Sequence, residues 1–207
     1  GPHQVVVKQF ASGICHSQLH QMHRPRTGNA QVLGHESTGV VMKKGSEVTH
    51  VKEGERVMVT WVSRDTTTST RAPQPAAIDL GNGTIARGNV FTWADITIAD
   101  EQYVVAMPAD VPVDVTAIIG CAVMTGAGAV CYTAGVQKGQ SVAVFGVGGV
   151  GLSAIAAAAV IGANPIIAVD LDDAKLDFAR KFGATHGVNA RDTDAVAEIG
   201  KLTLDEV

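Results

Sequence analysis

Three separate clusters of cysteine and histidine could bind a metal ion. They are GICHSQLH at residues 13–20, GHE at 34–36 and GC at 120–121. None has the close C-x-x-C spacing of a structural zinc site. Ligands drawn from distant parts of a chain suit a catalytic site, where three protein ligands leave a fourth position for water or substrate. A lone cysteine is nevertheless more often a small core residue, so spacing alone leaves metal binding open.

A second candidate site is the glycine-rich segment GVGGVG at residues 146–151. It follows an apolar run and opens an alanine-rich one, as in the G-x-G-x-x-G loop that binds dinucleotides. There Gly146 would permit a tight turn, Gly148 would let the backbone approach a pyrophosphate, and Gly151 would let the helix pack closely on the strand. Gly149 and Val150, in the same loop, are further candidates for cofactor binding. The N-terminus of the helix would add N–H groups for the phosphates.

An acidic residue, Asp170, ends the next apolar run. It lies about 20 residues beyond the loop, where a carboxylate accepts hydrogen bonds from the adenosine ribose, and Lys175 is placed to support it. The alternative is a glycine turn in another kind of α/β protein, with Asp170 as a helix cap. We favour the dinucleotide because strand, loop, helix and acid occur in the required order. The neighbouring Asp172 and Asp173 would repel a 2′-phosphate, which predicts NAD rather than NADP.

Two regions of the chain, which differ in their sequence pattern, must position these residues. Up to residue 112, short valine-rich runs predict a β-barrel-like domain, interrupted by a polar segment at 63–88 that is typical of a long surface loop. From 113 to 207, strand and helix alternate, which predicts a parallel sheet. The predicted strands are 4–8, 37–42, 56–61, 101–107, 141–145, 165–169 and 187–190, and the predicted helices are 115–134, 148–161, 172–182 and 195–199. In the helix at 172–182, Leu176, Ala179 and Phe182 share one apolar face.

Composition excludes several classes of protein. The formal net charge of −4 argues against nucleic acid or an anionic membrane as partner, because both call for a basic patch. The longest apolar run, 154–161, is too short to cross a bilayer. Three cysteines cannot form a disulfide framework, and no signal-peptide pattern is seen. We therefore expect a cytoplasmic protein with free cysteines.

Five segments, in this order, resemble the zinc-containing medium-chain dehydrogenase family: GICHSQLH, GHESTGVV, GERVMV, GCAVMTGAGAV and VFGVGGVGLSAIAAAAVIGA. The resemblance covers nearly the whole chain. It implies an α/β protein with a GroES-like β-barrel catalytic domain at 1–112 and a partial Rossmann domain at 113–207. It also implies NAD and one catalytic zinc on Cys15, His35 and Cys121, with Glu36 as a carboxylate close to the metal.

The same resemblance implies further roles. Ser17 matches the hydroxyl that takes the alcohol proton, His20 the histidine that passes it to solvent, and His16 a residue that touches the cofactor pyrophosphate. Residues around the nicotinamide ring and the substrate pocket are matched by Thr125, Val150, Trp61 and Trp93. The two tryptophans could equally be ordinary barrel core.

The reaction implied is hydride transfer between a small alcohol and NAD, with zinc lowering the pKa of the alcohol. The product is an aldehyde or ketone. One alternative is a zinc-free quinone or enoyl reductase, which shares the fold but lacks the cysteine–histidine–cysteine set. Another is a fragment that binds metal or nucleotide without turnover.

Three features depart from the family pattern. Gln18 stands where an aspartate usually holds the zinc-bound histidine, and a neutral amide would hold it less strongly. Residues 63–88 contain no cysteine, so no structural zinc is expected. A complete dinucleotide fold has six parallel strands, and only three are predicted. We therefore expect poor turnover from these residues alone, and a homo-oligomer that covers the open sheet edge.

Overall fold

Two units make up the computed structural model, which describes residues 1–24, 30–64, 71–81 and 83–204. The first unit is Gly1–Cys121 and the second is Ala122–Val207. The sequence predicts a domain boundary after residue 112, whereas in the structure residues 113–121 group with the first unit. One reason is that the Thr60 hydroxyl donates a hydrogen bond of 2.7 Å to the carbonyl of Gly120.

Antiparallel strands form most of the first unit, and its core is rich in valine. Val5, Val7, Val41, Val57 and Val59 are all buried. A five-stranded sheet has the order β6-β1-β2-β3-β7, and β4 pairs with β5 in a separate hairpin. The elements are β1 (Gln4–Ser12), α1 (His16–His23), β2 (Ser37–Lys44), β3 (Arg56–Val59), β4 (Ala76–Asp79), β5 (Ile85–Gly88), β6 (Ile96–Asp100), a 3-10 turn (Glu101–Tyr103), β7 (Val104–Ala106) and α2 (Val113–Thr116).

Strands and helices alternate in the second unit, as the sequence predicts. Three parallel strands have the order β10-β9-β8. Small side chains let helix and sheet approach closely, and Ile155, Ala158 and Ala168 are fully buried between them. The elements, from a π-helical turn that spans the boundary, are Ile119–Val123 (π), α3 (Met124–Gly128), Ala129–Thr133 (π), β8 (Val142–Phe145), α4 (Gly149–Ile161), β9 (Ile166–Asp170), α5 (Asp173–Arg180), β10 (His186–Asn189) and α6 (Ala195–Leu204).

Some predicted elements are wrong in the first unit. The segment 63–88 is not all loop, because its described part contains the hairpin β4–β5. Its buried positions are alanines, Ala76 and Ala86, which give little strand signal in a sequence. The helix α1 and the strand β6 were not predicted. On β6 the large Ile96 is half exposed while Thr97 is buried, so the usual alternation is reversed.

Three other predicted elements are modified. The predicted strand 101–107 begins with a 3-10 turn, because the Asp100 carboxylate accepts a hydrogen bond from the N–H of Gln102. The predicted helix 115–134 is divided into short α-helical and π-helical pieces. Phe182 lies beyond the end of α5 and is 38% exposed, so it does not share the buried face of Leu176 and Ala179. Among the described residues, no helix is long and apolar enough to cross a membrane.

An ion pair between a buried carboxylate and a partly exposed guanidinium ties β6 to the segment before β4. The side chain of Asp100 is fully buried and accepts two hydrogen bonds from the Arg71 guanidinium, at 2.7 and 2.8 Å. It also accepts from the backbone N–H groups of Gln74 and Gln102. Burial alone would raise the pKa of Asp100, but these four donors outweigh it and the pKa is lowered.

We predict that Asp100→Asn lowers the free energy of unfolding by about 2–4 kcal/mol at neutral pH, because a neutral amide replaces a buried carboxylate that accepts four hydrogen bonds, and the amide NH2 would face N–H donors. Since the folded-state pKa of Asp100 is depressed, its contribution is present above the unfolded pKa and is lost as the pH falls through the folded pKa. The two proteins should therefore converge in acid. Denaturant unfolding against pH checks this, with the exposed Asp110→Asn as control. A constant difference at all pH values would contradict it.

Candidate active site

The first cysteine of the candidate site lies at the start of α1. Cys15 is the residue before the helix, and its N–H donates to the Gln18 side-chain oxygen at 2.8 Å. The Gln18 nitrogen lies 2.6 Å from Nδ1 of His35. Gln18 is only 1% exposed, so its amide is held between the first and second clusters of the sequence.

The histidine lies on a turn that only glycine can form. Gly34 has φ +95°, and a Cβ placed there would lie 2.4 Å from the backbone nitrogen of Trp93. The turn is held by the Ser12 hydroxyl, which donates to the carbonyl of Glu36 at 2.9 Å. His35 therefore points Nε2 towards the sulfur of Cys121, 3.2 Å away.

Four potential metal ligands converge in the first unit. Each of Cys15, His35, Glu36 and Cys121 offers one donor atom, and all four atoms lie within 4.8 Å of one another. Glu36 and Cys121 are buried, and the other two are partly buried. Two sulfurs, an imidazole nitrogen and a carboxylate are donors that zinc prefers, so the residues present fit this metal.

The electrostatics of the cluster also suit a cation. Burial lowers the pKa of His35, so its neutral form is favoured. The pKa of the Cys121 thiol is raised to about 12, first by burial and then by the nearby charges of Glu36 and Cys15. These effects favour the protonated form of the Cys121 thiol. A bound divalent cation would instead stabilise the thiolate form of the cysteines that bind it.

The residues matched to proton transfer lie at the surface of α1. His16, Ser17 and His20 are all exposed. The rings of His16 and His20 lie 5.0 Å apart, edge to face. Nothing in the described contacts links Ser17 to His20, so their roles stay predictions.

Both tryptophans lie beside the metal-ligand cluster. Trp61 is 50% exposed, so it is not core. Its ring centroid lies 6.4 Å from that of His35, and its hydrogen bond lowers the pKa of Cys121 slightly against the larger raising effects. Trp93 packs on the Gly34 turn and donates to the carbonyl of Gly13 at 3.0 Å.

The role of Gly13 was not assigned from the sequence. A Cβ at this position would lie 2.5 Å from the carboxyl carbon of Glu36, so only glycine lets the buried carboxylate reach the cluster. The signal that could have revealed it is the glycine two residues before a candidate ligand, Cys15. A second missed contact is the hydrogen bond between the Ser12 and Thr92 hydroxyls, at 2.9 Å.

In the second unit, the glycine-rich loop has the geometry predicted for it. Gly146 has φ +82°. A Cβ on Gly151 would lie 2.0 Å from the carbonyl oxygen of Gly146, whereas a Cβ on Gly148 would meet no atom within 4 Å. The loop is thus packed on its inner side and open at Gly148, where a ligand could approach. Thr125 and Val150, matched to the nicotinamide region, are both exposed.

Asp170 holds this loop in place. Its two carboxylate oxygens accept hydrogen bonds from the N–H groups of Val147, at 2.9 Å, and Leu171, at 2.8 Å. The hydrogen bond from Val147 has the largest effect and lowers the pKa of Asp170. The bond from Leu171 and the positive charge of Lys175 lower it further. The cap of α5 is instead Asp172, which accepts from the N–H of Ala174. The alternative of Asp170 as a helix cap is therefore wrong.

A valine-rich barrel sheet with a Cys–His–Cys donor set, together with a parallel sheet that begins with G-x-G-x-x-G, defines the class of zinc-binding dehydrogenases. Comparison with protein families agrees. The alcohol dehydrogenase GroES-like domain matches residues 1–109, and the zinc-binding dehydrogenase domain matches residues 149–207. The chain belongs to the zinc-type alcohol dehydrogenase family, and the predicted α/β fold class is confirmed.

Several relatives are similar over most of this chain. An S-(hydroxymethyl)glutathione dehydrogenase of Saccharomyces cerevisiae is 32% identical over 97% of the chain and 60% of its own length. A class-3 alcohol dehydrogenase of Cereibacter sphaeroides is 34% identical over the same shares. The crystal structure of benzyl alcohol dehydrogenase from Acinetobacter calcoaceticus superposes with a TM-score of 0.83 at 31% identity, over 97% of this chain and 60% of that one. The chain thus spans about 60% of the length of these relatives.

We predict different effects on thermal stability for two alanine substitutions in the glycine-rich loop. Gly151→Ala should lower the melting temperature clearly, because its Cβ would lie 2.0 Å from a backbone oxygen and neither atom can move freely. Gly148→Ala has open space around its Cβ and should unfold close to wild type. Calorimetry of the two variants checks this. Equal melting temperatures would contradict the close approach at Gly151.

Proposed function

We propose that this chain carries the zinc site and part of the cofactor site of an NAD-dependent alcohol dehydrogenase. The observation that carries the proposal is the convergence of Cys15, His35 and Cys121 in a pocket with a buried carboxylate. The family to which the chain belongs supports the reaction type.

Zinc would be held by Cys15, His35 and Cys121, with Glu36 beside them. When bound, it would supply Lewis-acid polarisation of the substrate oxygen. The chain's own part is to present two sulfurs and one imidazole at separations that need little rearrangement. The described residues contain one group of potential ligands of this kind, and we propose a single catalytic zinc with no structural one.

Proton transfer would be the task of α1. The exposed Ser17 hydroxyl would accept the alcohol proton, and the exposed His20 would pass it to solvent. A histidine suits this step because its unperturbed pKa lies near neutrality. His16, whose ring contacts that of His20, would face the cofactor phosphates.

The loop at residues 146–151 would bind the pyrophosphate, and Asp170 would bind the adenosine ribose. Although both Asp170 oxygens already accept backbone N–H groups, each carboxylate oxygen has two lone pairs, so it can accept a ribose hydroxyl as well. Thr125 and Val150 would lie near the nicotinamide ring. NAD, when bound there, would supply the acceptor for a hydride from the alcohol carbon.

The substrate would be a small alcohol or its aldehyde. The exposed face of Trp61 and the half-buried Trp93 favour a flat or compact molecule. The relatives named above act on S-(hydroxymethyl)glutathione and benzyl alcohol, and benzyl alcohol is the better match to an aromatic wall. We propose an aromatic primary alcohol as the first substrate to test.

We predict that Cys121→Ser abolishes stoichiometric zinc, because a neutral hydroxyl is a poor replacement for a thiolate ligand. Cys131→Ser should keep full zinc, since Cys131 is exposed and is not among the converging ligands. Metal analysis after chelator-free purification, with NADH formation from benzyl alcohol in parallel, measures both. Full zinc in the Cys121 variant would refute the ligand set.

We also predict that NAD binds more tightly than NADP, by roughly 30- to 1000-fold. A 2′-phosphate near the ribose would meet the carboxylate of Asp170, with Asp172 and Asp173 close behind it in the sequence. Titration of both cofactors against the protein tests this. Gly148→Ala should weaken both equally, because its methyl group would occupy the open side of the loop. Equal or tighter binding of NADP would contradict the assignment of Asp170.

A further inference from the structure

A closed ring of hydrogen bonds joins four groups of the metal-ligand cluster. The N–H of Cys15 donates to the Gln18 oxygen at 2.8 Å, and the Gln18 nitrogen donates to Nδ1 of His35 at 2.6 Å. Nε2 of His35 then donates to the Cys121 sulfur at 3.2 Å, and the Cys121 thiol donates to the Cys15 sulfur at 3.8 Å. Within the ring each group donates once and accepts once, so its hydrogen bonds can all run in one direction. The two sulfurs also accept from outside the ring, Cys15 from the backbone N–H of Gln18 and Cys121 from Trp61.

The direction of the ring is set at one position. A backbone N–H can only donate, so the Cys15 N–H requires the oxygen of the Gln18 amide. The amide nitrogen must then face His35. Gln18 is 1% exposed, so water cannot readily replace either partner. Since an amide nitrogen only donates, Nδ1 of His35 must accept, and the proton of the neutral imidazole lies on Nε2.

This is the wrong tautomer for binding a metal through Nε2. A ligating nitrogen needs its lone pair, so the proton must move to Nδ1. There it would meet the N–H groups of Gln18, donor against donor, at a separation of 2.6 Å. If the Gln18 amide were flipped, its oxygen could accept from Nδ1–H of His35. Its N–H groups would then face the Cys15 N–H, whose nitrogen lies 2.8 Å from the position that the Gln18 oxygen now occupies. Either orientation leaves two donors opposed in a partly buried position.

We propose that Gln18 is a positioning residue that stabilises the metal-free form of this pocket and weakens zinc binding, by holding His35 in the Nε2–H tautomer. A carboxylate of the same length would accept from both neighbours, and Gln18→Glu should therefore favour the Nδ1–H tautomer. The inference rests on the proposed zinc site, and it implies that this protein binds zinc less tightly than its ligand set alone would suggest.

The test compares zinc affinity in three proteins, by competition with a chromophoric chelator. Gln18→Glu should bind zinc about 10- to 100-fold more tightly than wild type. The control is Gln21→Glu, which adds the same charge at an exposed position of the same helix. It should change the affinity only about 2-fold, since exposed charges are strongly screened. Equal or weaker binding by Gln18→Glu, or an equal gain in both variants, would overturn the inference.

A second readout locates the proton on the His35 ring directly. Nitrogen-15 NMR of the metal-free wild type should show the His35 ring protonated at Nε2, with its signal identified by its loss in His35→Gln. A ring protonated at Nδ1 would overturn the inference. In Gln18→Glu the ring should carry its proton at Nδ1, which a merely structural role of Gln18 would not cause.

The two proposals fail differently. If wild type binds zinc through Cys121 but Gln18→Glu gains nothing, only the role of Gln18 is wrong. If neither protein binds zinc at any concentration, the zinc site itself is wrong and the inference falls with it.

Discussion

The structure of the first unit depends on bringing four polar ligands together in a pocket that excludes most water. Glu36 is 2% exposed and Cys121 is 8% exposed. Burying such groups is unfavourable unless they are hydrogen-bonded or bind a cation. Two features of the structure bear on this requirement: the pKa of the Cys121 thiol is raised to about 12, and hydrogen bonds join the ligands to one another and to Gln18. Metal binding must replace both.

Close backbone contacts make that pocket possible. Two glycines, Gly13 and Gly34, lie where any Cβ would overlap Glu36 or Trp93, so the chain can turn tightly beside each ligand. The second unit follows the same principle, since Gly151 lies against the carbonyl of Gly146 and Asp170 holds the loop by its N–H groups. In both units close backbone contacts position the candidate site residues, which favours a precise geometry.

Much of this could be predicted from the sequence, and the failures have physical causes. The helices α4 and α5 and the parallel strands were predicted closely, because α4 is rich in alanine, α5 is amphipathic, and β8 and β9 are short apolar runs. The strands β4, β5 and β6 were not, because their buried positions hold alanine and threonine, whose preference for strands is weak or depends on context. Helix α1 has no apolar stripe, and its first turn is held by the capping contact between Cys15 and Gln18, a local effect that hydrophobic periodicity does not reveal.

The sequence by itself determined the family, the identity of the candidate ligands and the glycine loop, because these depend on residue types in a recognisable order. Only the tertiary structure decided that Cys15, His35, Glu36 and Cys121 meet within 4.8 Å, and that Gln18 lies between two of them. A sequence gives the chemical groups but not the direction in which their hydrogen bonds run. That direction follows from which groups are buried together, because a buried donor must find an acceptor among the neighbours that the fold supplies.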